Sequence, residues 1–153
     1  MNDRERLRVL RATREFAGLN DAKLRSLLPY IDEVCVEAGS RVAEEGRLCH
    51  QFVIVASGFL ETCRSGTSGK LGPGDTFGWE SMRSRGVNDA TLLAKGAAHL
   101  FLMSHEQFRA AEGLATPLLT RGARMHHAGA AGERSSQTNG DPHPVRPPSL
   151  SEL

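Results

Sequence analysis

The chain has 153 residues, with Lys+Arg 19 against Asp+Glu 18 and a formal net charge of +1. That length suits one domain with a tail better than two domains, and the hydrophobic (39%) and charged (24%) fractions are those of ordinary soluble globular material. The charge balance removes any global electrostatic reason to expect a nucleic-acid partner, and no run approaches the roughly 18 apolar residues needed to span a bilayer.

The first sixteen residues are charged throughout and contain no apolar core of a secretion signal, which implies a cytoplasmic protein. Leu7, Leu10 and Phe16 fall near one face and predict a helix over residues 1–15. A second short helix follows, capped by Asn20 or Asp21, with Leu24, Leu27 and Leu28 as its apolar stripe and Pro29 discouraging further turns. From residue 31 the hydrophobic period becomes two. Ile31, Val34 and Val36 form one strand-like run, and the next are Arg41 to Ala43, Gln51 to Val55 and Phe59 to Arg64. Glycines at 39, 46, 58, 66, 69, 72 and 74 punctuate these runs. Short strands at close spacing with glycine-rich turns are the signature of an antiparallel sandwich or barrel.

Two late strands are expected at Ala90 to Leu93 and Leu100 to Met103. A helix then restarts. Ser104 and Gln107 have the spacing of a capping box, and Phe108, Ala111 and Leu114 or Ala115 mark an inner face; Leu118 and Leu119, after Pro117, either prolong this helix or form a short second one. From about residue 123 the chain is rich in Gly, Pro, Ser and charge. Such a segment cannot bury enough surface to offset its ordering entropy, so 123–153 is expected to be a disordered tail behind a domain of residues 1–122.

Three cysteines, Cys35, Cys49 and Cys63, form no CxxC pair, and their spacing to the histidines matches no common zinc signature. No metal site is expected. An odd count without a secretion signal points to free thiols in a reducing compartment. Cys35 and Cys63 are expected to act as small buried hydrophobes in strands. The sequence has no GxSxG, HExxH or phosphate-loop lysine motif, and no usefully spaced carboxylate pair. It is therefore not expected to be an enzyme.

The order of elements and turns resembles the cyclic-nucleotide-binding domain family, which includes the catabolite-activator regulators and the regulatory subunits of cyclic-nucleotide-dependent kinases. The matching pieces are Phe16 to Leu19 with Leu24, Leu27 and Leu28, then Ala38-Gly39 with Val42, then Glu45-Gly46. Phe52 to Val55 with Ser57-Gly58 follow, then Leu71 to Asp75, Phe77-Gly78 and Ala90 to Leu92. The match covers roughly residues 14–112. Each piece is only a turn and a strand, but seven in order make the resemblance specific for fold. It implies a mainly β architecture with flanking helices: an antiparallel, jelly-roll-like β-roll.

The resemblance also implies a ligand site over Phe77, Gly78, Trp79, Glu80, Ser81, Arg83, Arg85, Asn88, Asp89, Ala90 and Thr91. In the family a glutamate directly after the Phe-Gly pair accepts from the ribose, and an arginine two positions before the Ala-Thr pair clamps the cyclic phosphate. Backbone N–H groups of a short helix complete the cradle. Here those two positions hold Trp79 and Asn88, and Asp89 adds a negative charge beside the expected phosphate. Loss of an arginine fork could weaken binding by roughly 10- to 10,000-fold. Glu80 stands one position late, and Arg83 and Arg85 lie in the same segment as substitute cations or as a solvated loop. Trp79 either fills the emptied pocket or stacks on a flat ligand, and Asn88 and Asp89 could equally be turn formers.

The expected function is a regulatory module that senses cAMP, cGMP or a related anion. The alternative is a degenerate module that no longer binds nucleotide and acts through protein contacts. A homodimer or a regulatory protein partner would engage the helices flanking the roll. No DNA-binding domain and no membrane association are expected of this chain.

Overall fold

The computed structural model describes residues 1–114. The expected extension of the last helix through Leu118 and Leu119, the domain boundary at 122 and the tail 123–153 lie outside the described residues.

Helix α1, Asp3–Ala12, starts on a reciprocal cap. Asn2 Oδ1 accepts from Glu5 N, and Glu5 Oε2 accepts from Asn2 N, both at 2.9 Å. It ends before the expected residue 15. Thr13 takes an extended backbone, φ −79 and ψ 126, and its hydroxyl donates to Val9 O at 2.8 Å. A 3-10 turn, Arg14–Phe16, then drives the Phe16 ring into the core, where it is wholly buried. Helix α2, Asp21–Leu27, is capped by Asn20 Oδ1 from Lys23 N and buries Leu24 and Leu27. Pro29 sits in the 3-10 turn Leu28–Tyr30 that ends it.

The described residues then form eight strands: β1 (Asp32–Val36), β2 (Arg41–Ala43), β3 (Gln51–Ser57), β4 (Leu60–Arg64), β5 (Thr67–Leu71), β6 (Thr76–Phe77), β7 (Thr91–Ala94) and β8 (Ala98–Ser104). Helix α3, Trp79–Ser84, lies between β6 and β7. A last helix, α4, begins at residue 105 and is described through 114. Its expected capping box is present: Ser104 N donates to Gln107 Oε1 and Gln107 N to Ser104 Oγ.

The strands make two four-stranded antiparallel sheets, in the orders β1-β8-β3-β6 and β2-β7-β4-β5. This is the antiparallel roll expected from the resemblance. Val53, Val55, Phe77 and Leu100 of the first sheet pack with Leu60, Leu92 and Ala94 of the second in one buried cluster. Alternate residues of β3, Phe52 and Ile54, are also wholly buried but stand on the opposite face of the pleat. There the rings of Phe16 and Phe108 cover Phe52. Strand β3 is thus buried on both faces, which explains its unbroken apolar run. Burying one large apolar side chain contributes about 1.5–3 kcal/mol, so the helical layer is held by the same kind of packing that joins the sheets.

Two strands escaped the sequence reading. β5 is exposed over Thr67 to Lys70 and contains Gly69, so it carries no apolar alternation. It exists because a two-residue turn folds it back on β4, with Ser65 and Gly66 at φ 49 and 85 between the paired Arg64 and Thr67. β6 is two residues long. The cysteine expectation is corrected as well: Cys35 is exposed, Cys63 is half-buried, and Cys49 is the buried thiol. Cys35 and Cys63 lie in β1 and β4, paired with His99 and Thr91, outside the apolar cluster.

Gly58, in the β3–β4 turn, has φ +78, and a Cβ there would stand 2.6 Å from Ala97 O and 2.9 Å from Ala98 Cα. Both are backbone atoms that cannot turn aside. Gly58→Ala should lower unfolding free energy by about 3 kcal/mol, against about 1 kcal/mol for Gly66→Ala, where φ is positive but the space is open. Urea midpoints of the two variants check this; equal losses would refute the steric account.

A cleft between the second sheet and the segments flanking α3

A cleft of about 660 Å³ opens against one face of the β4–β5 hairpin. Thr62, Arg64, Ser65, Thr67, Ser68, Gly69 and Leu71 line it from the hairpin, and Thr76, Phe77 and Gly78 from the approach to α3. Asp89 and Ala90 close it from the start of β7. Its size is ordinary for a small-molecule site. Its polar groups are mostly hydroxyls, with Leu71, Phe77 and Ala90 supplying apolar wall.

Two groups of bonds set the shape of the cleft. Arg64, at the end of β4, places Nη2 2.7 Å from Asp89 Oδ2 and donates from Nε to Asp89 O at 3.1 Å. Both side chains are more than half exposed, 63% and 59%, so the pair contributes little to stability and mainly fixes position. Behind it, the Glu45 carboxylate accepts from Ser65 N at 3.1 and 3.2 Å and from Ser65 Oγ at 3.3 Å. Glu45 N donates to Thr91 Oγ1 at 3.0 Å. The hairpin tip is therefore tied to the segment after β2, which in turn holds the start of β7.

The expected site residues divide into two sets. Phe77, Gly78, Asp89 and Ala90 line the cleft. Thr91 supports it through Glu45. Trp79 neither fills the cleft nor stands open for stacking. Its ring packs edge-on against Phe16, Phe52 and Phe108, with centroids at 5.9, 5.3 and 4.8 Å. One residue after Gly78, the helix turns this side chain away from the hairpin and into the helical layer. Ser81 Oγ donates to Val87 O at 2.9 Å. Glu80 and Arg83 are not in a loop but on α3, where Arg83 pairs with Glu112 of α4 at 2.7 Å and with Glu80 at 3.7 Å. Arg85 ends α3 in a left-handed conformation, φ 57, and is exposed outside the cleft lining. Asn88 is 7% exposed, and its amide donates to Glu44 O at 3.0 Å. Its backbone bonds Gly46 and Arg47. It therefore ties this segment to residues 44–47 rather than forming a turn of its own, and its side chain is not in the cleft lining.

The hairpin residues were missed because exposed Thr, Ser and Gly carry no periodic signal, and Arg64 lies in sequence far from the expected segment. The one available hint was a positive side chain at the end of a strand that a tight turn follows.

Gly78 caps α3 at φ 99, and a Cβ there would stand 3.2 Å from both Cys49 Sγ and Gln51 O. Cys49 thus lies directly behind the cleft floor, wholly buried, with Sγ 3.6 Å from Gln51 O. Burial pushes its thiol above the ordinary value, a backbone hydrogen bond of Gln51 opposes this, and the Asp89 charge adds to the rise. Its proton is therefore held longer in the folded chain than in the unfolded one. The stability this gives is complete below the ordinary thiol value of about 9 and is lost as pH rises through the folded value.

Two outcomes are expected. Thiol reagents at pH 8 should modify Cys35 first, Cys63 more slowly, and Cys49 only on unfolding; early modification of Cys49 would contradict its burial. Trp79→Glu, which restores the family's residue, should cost about 2–4 kcal/mol in thermal or urea unfolding and add no affinity for cAMP, because it places a carboxylate among three phenyl rings.

The model of the family described as cyclic nucleotide-binding domain matches residues 33–111. The regulatory domain of Toxoplasma gondii PKA, crystallised with cAMP, superposes with a TM-score of 0.67 at 25% identity over 76% of this chain and 48% of that one. The Thermus thermophilus catabolite activator protein gives 0.62 at 23% identity over 81% and 62%. This chain thus spans about half to two-thirds of the length of those proteins. A sequence comparison with curated proteins gives no match. Among the described residues, no helix is long and apolar enough to cross a membrane.

Proposed function

Because this chain belongs to the cyclic nucleotide-binding domain family, we propose that it is a regulatory, non-enzymatic module that holds a ligand of the nucleotide or nucleoside class in the cleft between the β4–β5 hairpin and the segments flanking α3. One observation carries this reading. The cleft is lined by Phe77, Gly78, Asp89 and Ala90, which the family resemblance assigns to ligand contact, and it has room for such a molecule. The T. gondii relative, at 25% identity, holds cAMP. A free, exposed Cys35 fits action in a reducing, cytoplasmic setting.

The output runs through the helices. Trp79 at the start of α3 packs on Phe108, and Arg83 pairs with Glu112, so α3 is fastened to α4 at two points. A ligand that shifts Phe77 and Gly78 acts on the same helix that α4 reads, and a second copy or another regulatory protein that touches α4 would sense it. The degenerate alternative rests on Trp79 and Asn88, which are committed to ring packing and to a bond with Glu44 O rather than to the cleft.

The test is isothermal titration of the protein with cAMP, cGMP and their parent nucleosides, on wild type and on Thr62→Trp. The indole would occupy the cleft from β4 without altering its charges. Heat in wild type that disappears in Thr62→Trp is the expected result. Absence of binding by every compound at millimolar concentration would leave the degenerate reading standing.

A further inference from the structure

We infer that the Arg64–Asp89 pair makes the cleft selective for an uncharged nucleoside over the corresponding cyclic phosphate. This rests on the cleft being the ligand site. Among the described residues, Arg64 is the one cation lining it. That cation is already engaged by Asp89, through Nη2 to Oδ2 at 2.7 Å and Nε to the backbone carbonyl at 3.1 Å. The formal charge of the lining is therefore zero.

A cyclic phosphate carries one negative charge. It reaches Arg64 only by displacing the Asp89 carboxylate or by sharing the guanidinium with it. Either way, two like charges meet on one cation at the edge of a cleft that offers no second one. The other two groups that the sequence offered as cations, Arg83 and Arg85, do not line the cleft, and Arg83 is held by Glu112 and Glu80.

An uncharged nucleoside leaves the pair intact. Asp89 gives Oδ2 to Arg64, and Oδ1 remains to accept from a ribose hydroxyl. Thr62, Thr67 and Ser68 bring hydroxyls that both donate and accept, and Leu71 and Phe77 present apolar surface for a base. The lining thus matches a ligand with many hydroxyls and no net charge. Asp89 acts here as the discriminating residue: its charge disfavours the anion, whereas its ribose contact is open to nucleoside and cyclic nucleotide alike.

Titration of the wild-type protein with adenosine and guanosine against cAMP and cGMP tests this directly. The expected result is that a nucleoside binds at least about tenfold more tightly than its own cyclic monophosphate, the scale of one charge-assisted hydrogen bond that the phosphate must forgo to Asp89. Asp89→Asn removes the competing charge and frees Arg64, so it should raise cyclic-phosphate affinity by about tenfold or more while changing nucleoside affinity less. Arg64→Gln should weaken whatever cyclic-phosphate binding remains by a larger factor than it weakens nucleoside binding, which loses only the anchor that positions Asp89. Melting curves confirm folding of both variants, whose altered side chains are more than half exposed. If wild type binds the cyclic phosphate more tightly than the nucleoside, or if Asp89→Asn leaves their ratio unchanged, the inference is overturned while the cleft remains a ligand site. If no compound binds, the ligand-site reading fails and this inference fails with it.

Discussion

The packing of Trp79 against Phe16, Phe52 and Phe108 is the constraint on which the arrangement of the site depends. Four rings drawn from the first 3-10 turn, β3, α3 and α4 meet edge-on in one layer, the geometry that ring quadrupoles favour. They join parts of the chain that are remote in sequence. Because Trp79 directly follows Gly78, fixing its ring fixes the start of α3 and the floor of the cleft. The family's glutamate at that place serves a ligand; here the position serves the scaffold. Contact with a ligand must then come from elsewhere in the cleft wall.

That elsewhere is the β4–β5 hairpin. Its tip is held by Glu45 through Ser65 and its last β4 side chain, Arg64, by Asp89, two acidic residues that the chain supplies from different loops. Neither interaction is worth much in free energy at this exposure. Their effect is geometric, since they set which atoms face the cleft and leave it without surplus charge. Asp89 is the more consequential of the two. It holds Arg64 and contributes to the raised thiol of Cys49 behind the floor.

The roll was legible in the sequence wherever burial imposed a period or a turn imposed a residue type. β2 was read to the residue, β3 and β8 are buried on alternating or both faces, and the caps at Asn20 and Ser104 formed as their spacing required. β5 was illegible because an exposed edge strand of Thr, Ser, Gly and Lys is specified by its turn and its partner rather than by its own pattern. For the candidate site, the segment pointed to the cleft while the directions of its side chains were not legible. Of residues 77–91, Phe77, Gly78, Asp89 and Ala90 border the cleft, whereas Trp79, Ser81, Arg83 and Asn88 make contacts elsewhere. Direction of a side chain on a six-residue helix depends on where that helix docks, and docking was decided by rings at 16, 52 and 108 that no local reading connects to residue 79.

The same docking argues for how a ligand signal would leave the cleft. α3 is short, so it has few bonds of its own to resist displacement. It is gripped on one side by the ring cluster and by the Arg83–Glu112 pair, both of which include α4. On the other side its N-cap, Gly78, borders the cleft and stands against Cys49 and Gln51 with no room for a side chain. A shift at Phe77 or Gly78 therefore has two outlets: inward against β3, which is buried on both faces and close-packed, or along α3 into α4. Packed interiors resist compression, so the second outlet is the softer one. On the proposed reading, tight packing behind the cleft and the grip between α3 and α4 would make α4 the element that registers what the cleft contains.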